Sequence, residues 1–329
     1  MIEIGPDALL LVGLALAFAW SIGAHYSGAC MGMAYAAGAI SRRNALAWMA
    51  VLTFVGAAVA SGRVVENVGL DLVPDASLSV LAASVVVGVA FALTTAYNQL
   101  RLPTSTIQIL VFSLLGVALA RGILVHYATL TGLVVVWAAA PLAALGLGFV
   151  YTKGLSGGQV AVNAAPVSPS RADSTARVLV ATALVASFAM GANDVANATA
   201  VFVAVHLTDV AVAGAIGGVA LAVGVLTWGG PLLTTVAFDI VRLDRRMAAS
   251  AQFAQATVVL VAVAFLGAFT SMNQALVGGM AGAGLARGRA TIRWETVRGI
   301  LLGWAIGPLS GLGVGYAAWS LARLAGLGP

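Results

Sequence analysis

Long apolar runs separated by short polar breaks make up almost the whole chain. Several runs are shorter than the roughly 20 residues of a membrane-spanning helix, or are interrupted by Gly and Pro. The pattern therefore predicts an all-α polytopic membrane protein with about 10–12 membrane segments, including broken and re-entrant helices. The ten runs cover residues 8–40, 45–61, 77–95, 104–120, 129–152, 178–205, 211–228, 248–268, 271–286 and 296–322.

The composition agrees with a membrane protein. Hydrophobic residues make up 61% of the 329 residues and charged residues only 8%, whereas soluble proteins carry about a quarter charged residues. The basic residues lie between the apolar runs and form no single stripe, which favours a lipid bilayer as partner and excludes nucleic acid. The sequence has no nucleophile–base pair, zinc-ligand spacing, Walker loop or dinucleotide fingerprint, so we expect neither an enzyme nor a cofactor.

The two halves of the sequence repeat one another. Residues 137–149 recur as residues 304–316, at an offset of 167, with a Trp and a Pro at matching places. Two further matches have offsets of 166 and 168, in Leu-Ala-Arg-Gly and Gly-Ala respectively. Agreement at three places predicts an internal duplication. The predicted units are a first repeat, residues 1–152, a cytoplasmic linker, residues 153–177, and a second repeat, residues 178–329.

Loop charges predict that the repeats insert in opposite directions. The loop after the second run is acidic, with Arg63, Glu66, Asp71 and Asp75, whereas its counterpart near Arg242 to Arg246 is basic. Five crossings in each half require this inversion. Placing both termini outside leaves Arg63, Arg121 and Arg323 outside and the other basic residues in the cytoplasm, as the positive-inside rule favours. We therefore expect a multi-pass protein of the cell membrane.

A carboxylate, Asp194, lies inside the apolar run 178–205. An ionised group at bilayer depth costs roughly 2.5–3.5 kcal/mol on insertion scales and normally persists where it binds something. Gly191 and its small neighbours predict a helix break here, which would free backbone groups for an ion. The candidate ligands for a proton or a sodium ion are Asp194, Asn193 and Asn197.

Two polar clusters interrupt apolar runs at matching positions, each with a Thr-Ser pair followed by Gln. Hydroxyls at a helix start commonly serve as N-caps, which is the purely structural alternative. The same helix start presents unpaired N–H groups and a positive dipole end to an anion. Two such starts facing each other would hold an anion without a basic side chain. The clusters are Thr104-Ser105-Thr106-Ile107-Gln108 and Thr270-Ser271-Met272-Asn273-Gln274.

The first half lacks the second half's carboxylate. His25 stands where the second half has Asn193, Tyr26 stands for Asp194, and Ala29 for Asn197. One carboxylate should hold fewer cations and offers fewer proton acceptors to hydrogen phosphate, whereas fully ionised sulfate loses nothing. His25 is either a proton carrier or a neutral imidazole bonded to the backbone.

At these residues the sequence resembles the PiT family of inorganic phosphate transporters. The segments 191–198, 102–106 and 275–279 are similar to that family's signature, its Ser-Thr segment and the stretch that follows it. The family normally has the Asn-Asp signature in both halves and a His where Gln108 and Gln274 stand here. Residues 22–35 look more like its sulfate permease branch.

The resemblance implies cation-coupled sulfate uptake in a bacterial or archaeal cell membrane. It also implies an elevator-like or rocking transport domain built from broken helices, and it allows a homodimer. The altered first signature puts a second sodium ion in question.

We therefore expect secondary active uptake of a tetrahedral oxyanion, sulfate in the first place, coupled to a proton or sodium gradient by alternating access. Selenate, chromate, molybdate and thiosulfate stay open as substrates. Asp194, Asn193, Asn197 and His25 are assigned to cation coupling, with a sodium site at the first three. The substrate-binding residues are predicted to be Ser27, Gly28, Thr104, Ser105, Thr106, Gln108, Ser271, Asn273 and Gln274.

Three alternatives remain at this point. A sodium-coupled phosphate symporter differs from a sulfate transporter only in the anion that it accepts. An anion channel would be a passive pore, which a carboxylate at membrane depth disfavours because it repels the permeant ion. A non-transporting membrane scaffold would leave Asp194 and both Gln residues without a function.

Overall fold

The structure is a computed structural model, and it describes residues 5–65, 72–73, 78–102, 104–155, 169–204, 207–235, 244–288 and 294–327. Across these residues the chain is helical throughout, which confirms the predicted all-α class. The helices are α1 Pro6–His25, α2 Ser27–Ala36, α3 Arg42–Ala60, α4 Val80–Gln99, α5 Thr106–Arg121, α6 Tyr127–Leu155, α7 Pro169–Ala204, α8 Val210–Thr235, α9 Arg245–Val261, α10 Met272–Arg287 and α11 Trp294–Leu324.

Among the described residues, eight helical stretches are long and apolar enough to cross a membrane. The helices α1 and α2 count as one of these, residues 6–36. The helices α5 and α10 have 16 residues each, a length of about 24 Å, which is short of the roughly 30 Å hydrocarbon core. Eight spans and two short helices correspond one to one with the ten apolar runs of the sequence.

The position of the helix break differs from the prediction. The break lies in the first half, at Tyr26 between α1 and α2, whereas α7 runs without interruption through Gly191 and Asp194. The predicted break at Gly191 is therefore wrong. Gly191 serves close helix packing instead, because a Cβ atom on it would lie 1.9 Å from the carbonyl oxygen of Thr53 on α3.

The predicted linker, residues 153–177, is helical at both of its described ends. The helix α6 continues to Leu155 and α7 starts at Pro169. Residues 156–168 lie outside the described part of the chain. The division into two repeats and a linker stays a prediction.

Helix contacts between the halves occur in reciprocal pairs. A Cβ atom on Gly23 of α1 would lie 2.0 Å from the Leu221 carbonyl oxygen of α8. The contact between Gly191 of α7 and Thr53 of α3 is the counterpart of this contact. Gly191 follows Gly23 by 168 positions, and Thr53 precedes Leu221 by 168 positions. The same shift relates two further contacts of these helices, which are Gly224 with Trp20 and Gly56 with Phe188.

The short helices are held by a second reciprocal set. A Cβ atom on Gly116 of α5 would lie 2.2 Å from the Leu312 carbonyl oxygen of α11, and one on Gly282 of α10 would lie 1.9 Å from that of Leu145 on α6. Each short helix thus packs against the long helix that ends the other half. Reciprocal contacts of this kind are those of a two-fold interface. They support the predicted duplication, while the opposite insertion of the halves stays a prediction.

Basic residues predicted on the cytoplasmic side lie together at one end of the bundle. Arg245 Nε donates to the Ala37 carbonyl at 3.2 Å, and Arg287 pairs with Asp244 at 3.0 Å. The Arg42 guanidinium lies against Gly230. These contacts support the prediction that the loops next to Arg42, Arg245 and Arg287 lie on the same side of the membrane. The orientation of the termini stays a prediction.

Replacing Gly191 or Gly23 by Ala should destabilise the bundle, because the added methyl group has to separate two helices. Overpacking of this kind costs about 1–3 kcal/mol. We expect both variants to lower the free energy of unfolding to a similar extent, measured by thermal unfolding of the purified protein in nanodiscs. Gly13→Ala is the matched control, because its Cβ would meet no atom within 4 Å. Equal stability of Gly191→Ala and Gly13→Ala would contradict the close approach.

Candidate functional site: a buried carboxylate beside two helix N-termini

Asp194 is fully buried, and side chains of its own helix solvate it. Asn193 Nδ2 donates to one carboxylate oxygen at 3.0 Å, and Asn197 Nδ2 donates to the other at 3.2 Å. The Tyr26 phenol lies close to the same carboxylate. Because a buried carboxylate without such donors would be very costly, the three polar residues of α7 form one unit. The structure therefore brings together all three predicted sodium ligands.

Asn193 also fixes the segment that leads into α10. Its Nδ2 donates to the Thr270 carbonyl oxygen at 2.8 Å, and its Oδ1 accepts from the Thr270 N–H at 3.0 Å. These two bonds satisfy both backbone polar groups of one residue at the helix start. The carboxylate and the N-terminus of α10 are therefore positioned by a single amide.

His25 makes the corresponding contact in the first half. Its Nε2 is hydrogen-bonded to the Thr104 carbonyl at 3.1 Å, and its Nδ1 is bonded to Asn98 Oδ1. Asn273 Nδ2 donates to the same Thr104 carbonyl at 2.8 Å and lies 3.0 Å from His25 Nε2. The imidazole thus has the backbone bond that the structural alternative for His25 requires. It joins α1, α4 and the start of α5.

The two Thr-Ser clusters stand at the starts of α5 and α10 and differ in how their hydroxyls are used. Ser271 Oγ accepts from the Gln274 N–H at 3.3 Å and caps α10, whereas Ser105, the N-cap of α5, makes no such bond. Within these two clusters, three buried hydroxyls have no hydrogen-bond partner among the described residues, and they belong to Thr104, Ser105 and Thr270. Free hydroxyls at helix N-termini are suited to an anion.

Thr106 links the α5 start to the carboxylate. Its Oγ1 accepts from Asn197 Nδ2 at 3.1 Å and is 2.9 Å from the Tyr26 hydroxyl. The Asn197 Oδ1 atom is buried and has no partner within the described structure. An unbonded amide oxygen next to a carboxylate fits a sodium ion, which prefers oxygen ligands. The predicted sodium site is therefore chemically compatible with the residues that surround it.

Gln108 and Gln274 meet in the first turns of α5 and α10. Each Nε2 donates to the Oε1 of the other residue at 3.2 Å. The two positions are related by the offset of 166, so the bonded pair joins matching positions of the two predicted repeats. This contact, with the Asn273–Thr104 bond, shows that the two helix starts converge as predicted.

The Ser27 hydroxyl at the start of α2 is hydrogen-bonded to backbone carbonyls. Ser27 Oγ donates to the Gly229 carbonyl of α8 at 2.7 Å and to that of Ala24 at 2.9 Å. Among the described residues no hydrogen bond joins Ser27 to either Thr-Ser cluster. Its hydroxyl is used in packing α2 against α8. The substrate roles of Ser27 and Gly28 stay predictions.

A small cavity of about 60 Å³ opens next to Asn197. Its lining is mainly apolar and includes Leu110 and Val111 of α5, Leu133 of α6 and Phe269. The cavity therefore adjoins the carboxylate unit on the side of the loop residues Leu72 and Leu78.

Sequence reasoning missed two buried amides close to the site. Asn98 holds His25, and its Nδ2 donates to the Ser21 carbonyl at 3.0 Å. Gln252, on α9, donates to the Ala29 carbonyl at 3.0 Å. The rule that singled out Asp194, that a polar group inside an apolar run has a function by default, would have found Gln252 in the run 248–268 but not Asn98, which lies beyond the run 77–95.

The comparisons with known proteins agree with one family. The phosphate transporter family, PHO4, matches residues 22–314. Sulfate permease CysP of Bacillus subtilis (strain 168) is 28% identical over 315 residues, which cover 95% of this chain and 87% of the permease. The chloroplastic inorganic phosphate transporter 2-1 of Arabidopsis thaliana is 37% identical over 133 residues, which cover 36% of this chain and 22% of that protein.

A solved structure described as the sodium-dependent phosphate transporter has the same fold. It matches with a TM-score of 0.89, covers 97% of this chain and 100% of its own length, and is 20% identical in sequence. The predicted polytopic helical fold is thereby confirmed.

The glutamine pair gives a testable energetic signature. Gln108→Leu should leave the Gln274 amide buried without a partner, at a cost of about 1–3 kcal/mol, and Gln274→Leu should do the converse. The double variant should cost clearly less than the sum of the two, because no unpaired amide remains. Unfolding free energies of the four proteins measure this cycle. Additive costs would show that the two amides are independent of each other.

Proposed function

We propose that this chain, which belongs to the phosphate transporter family, takes up sulfate by secondary active transport coupled to a proton or sodium gradient. Members of the family transport anions of the phosphate and sulfate type across membranes. The observation that carries the proposal is the convergence of two helix N-termini with unbonded hydroxyls beside one buried carboxylate. The anion would bind at the helix starts and the coupling cation at the carboxylate.

The anion site would use hydrogen-bond donors without a basic side chain. The hydroxyls of Thr104, Ser105 and Thr270 are buried and available. The Gln108 and Gln274 amides would exchange their mutual bonds for bonds to the anion. Positive dipole ends of α5 and α10 add to this attraction. An oxyanion with four acceptor oxygens can satisfy such a set from several sides.

Asp194 would couple the cation to the anion. Its carboxylate reaches the α10 start through Asn193 and the α5 start through Asn197 and Thr106. A proton or sodium ion on the carboxylate would change the hydrogen bonds of both amides, and these amides hold the two ends of the anion site. Mutual dependence of two ligands through shared contacts is what coupling requires.

Sulfate is favoured over phosphate by the residues around the anion site. The described site contains one carboxylate, and the other polar groups are hydroxyls, amides and the imidazole of His25, whose two nitrogens are already bonded. Hydrogen phosphate needs an acceptor for its proton, and sulfate does not. The similarity to a sulfate permease over 95% of the chain is in line with this preference.

Sodium-coupled phosphate symport is the second candidate. It is supported by the close fold match to a protein described as the sodium-dependent phosphate transporter. The free Asn197 Oδ1 beside Asp194 also suits sodium.

Purified protein in proteoliposomes should accumulate labelled sulfate against its gradient when an inward proton or sodium gradient is imposed. Each gradient is applied alone, and unlabelled phosphate and sulfate are added as competitors. We expect excess sulfate to abolish accumulation and excess phosphate to leave most of it. Accumulation of phosphate with no sulfate uptake would favour the second candidate. Flux that never exceeds equilibrium would indicate a channel.

Asp194→Asn tests the coupling step in the same assay. The variant keeps the shape of the side chain and removes its charge, so gradient-driven accumulation should fall at least tenfold while the protein stays folded. Asp209→Asn, on the surface before α8, is the control and should transport normally, because Asp209 only caps that helix at 2.9 Å. Unchanged gradient dependence in Asp194→Asn would remove this residue from the mechanism.

Substitutions of Ser105 and Ser271 should distinguish a role in anion binding from a role in protein stability. Ser105→Ala removes a hydroxyl with no partner in the described structure, so we expect a several-fold higher KM for sulfate with little change in stability. Ser271→Ala removes a helix cap, which should cost about 1 kcal/mol of stability. Kinetics and thermal unfolding of both variants measure the difference. A Ser105→Ala protein with the parent KM would exclude this hydroxyl from the anion site.

A further inference from the structure

Tyr26 stands at the break between α1 and α2, where the predicted second repeat has Asp194. The chain therefore carries a phenol hydroxyl at the place of a second carboxylate. Tyr26 is fully buried, and a buried hydroxyl needs hydrogen-bond partners. The transport mechanism proposed above does not use this hydroxyl.

The phenol joins the buried carboxylate to the start of α5. The Tyr26 hydroxyl is 2.9 Å from Thr106 Oγ1 and lies close to the Asp194 carboxylate. Thr106 is the first residue of α5, and its Oγ1 accepts another bond from Asn197 Nδ2 at 3.1 Å. Asp194, Tyr26 and Thr106 thus form a row of hydrogen-bonding groups, which we call the hydroxyl relay.

The direction of the hydrogen bonds in this relay depends on the charge of Asp194. Each hydroxyl has one hydrogen to donate, whereas an ionised carboxylate can only accept. While Asp194 is ionised and holds no cation, the Tyr26 hydrogen goes to the carboxylate, because a hydrogen bond to a charged group is roughly twice as strong as a neutral one. The Tyr26 oxygen then accepts from the Thr106 hydroxyl. In this state the Thr106 hydrogen is not available to an anion.

A cation on Asp194 favours the opposite direction. Its charge offsets that of the carboxylate, so that the Tyr26 hydroxyl loses its strongest acceptor and donates to Thr106 Oγ1. Thr106 Oγ1 then accepts from Tyr26 and from Asn197, which uses both of its lone pairs. Its own hydrogen is free to point to an oxyanion at the start of α5.

We propose that Tyr26 is a positioning residue, which transmits the presence of the coupling cation to the anion site by reversing its hydrogen bond with Thr106. This inference rests on the proposed function, which puts the cation at Asp194 and the oxyanion at the helix starts. The relay exists on the α5 side alone. The residue that matches Thr106 in the second half is Met272, at an offset of 166, and it has no hydroxyl.

The relay makes the two ligands depend on each other. A cation raises the affinity for the oxyanion because it frees the Thr106 hydrogen, and the oxyanion raises the affinity for the cation by the same factor. Removal of the phenol oxygen breaks this dependence. The Thr106 hydrogen then has no acceptor at Tyr26 and is available to the anion whether or not a cation is bound.

The test measures binding of labelled sulfate to the purified full-length protein, with sodium or with choline chloride at equal ionic strength, and at low or high pH. The cation effect is the sulfate dissociation constant without the cation divided by that with it. We expect a cation effect of at least about fivefold in the parent, the lower end of typical coupling, and of about twofold or less in Tyr26→Phe. The remaining effect is the contribution of Asn193 and Asn197.

Thr106 variants test the other member of the relay. Thr106→Val removes the hydroxyl and should lower the cation effect as Tyr26→Phe does, whereas Thr106→Ser keeps the hydroxyl and should keep the effect. Thr106→Val carries the test if Tyr26→Phe fails to fold. Tyr97→Phe is the matched control, because the buried Tyr97 hydroxyl bonds Ser310 Oγ at 2.6 Å and has no hydrogen bond to the relay among the described residues. It should show the cation effect of the parent.

The outcomes separate this inference from the function on which it rests. A full cation effect in Tyr26→Phe or in Thr106→Val, or an equal loss in Tyr97→Phe, would overturn the relay and leave coupled transport standing. Lower stability of Tyr26→Phe with an unchanged cation effect would show a purely structural tyrosine. A parent that binds neither sulfate nor labelled phosphate, or binds them without a cation effect, would overturn the proposed coupling together with the relay.

Discussion

The need to solvate one buried carboxylate determines where the other parts of the site lie. Asp194 is enclosed by apolar helices and obtains its hydrogen bonds from Asn193 and Asn197. Each of these amides has a second bond, one to Thr270 before α10 and one to Thr106 at the start of α5. The donors that make the charge tolerable are thus the same groups that position both helix N-termini. A change at the carboxylate would therefore reach both sides of the proposed anion site.

Backbone packing is symmetric in this bundle, whereas the side-chain chemistry is not. Glycines at matching offsets touch main-chain carbonyls of the opposite half, and such contacts depend only on the absence of a side chain. The polar positions differ between the halves, as His25 differs from Asn193, yet both bind the carbonyl of the Thr that precedes a short helix. The same scaffold contact is therefore made in both halves, although only the second half places a carboxylate beside it.

The sequence predicted the helices well because long apolar runs leave few alternatives in a membrane. It also predicted that the two Thr-Ser clusters converge, since the duplication related them. The predicted helix break at Gly191 was wrong because a glycine in a helix can permit either a kink or the close approach of a neighbouring helix. The structure shows close approach, since a Cβ atom on Gly191 would lie 1.9 Å from the Thr53 carbonyl oxygen. Asn98 was missed because it lies beyond the apolar run 77–95 and its partner, His25, is far away in the sequence.

The two helix starts differ in how their polar groups are hydrogen-bonded, and this difference would affect the proposed anion. At α10 the Ser271 hydroxyl is engaged as a cap and the backbone of Thr270 is held by Asn193. At α5 the Ser105 hydroxyl is free, and the preceding carbonyl of Thr104 is shared between His25 and Asn273. Binding an anion at α10 costs little ordering but offers few free hydroxyls, whereas α5 offers hydroxyls that must be oriented. An oxyanion that bridges both starts gains from each, because the ordered side fixes its position and the adaptable side completes its hydrogen bonds.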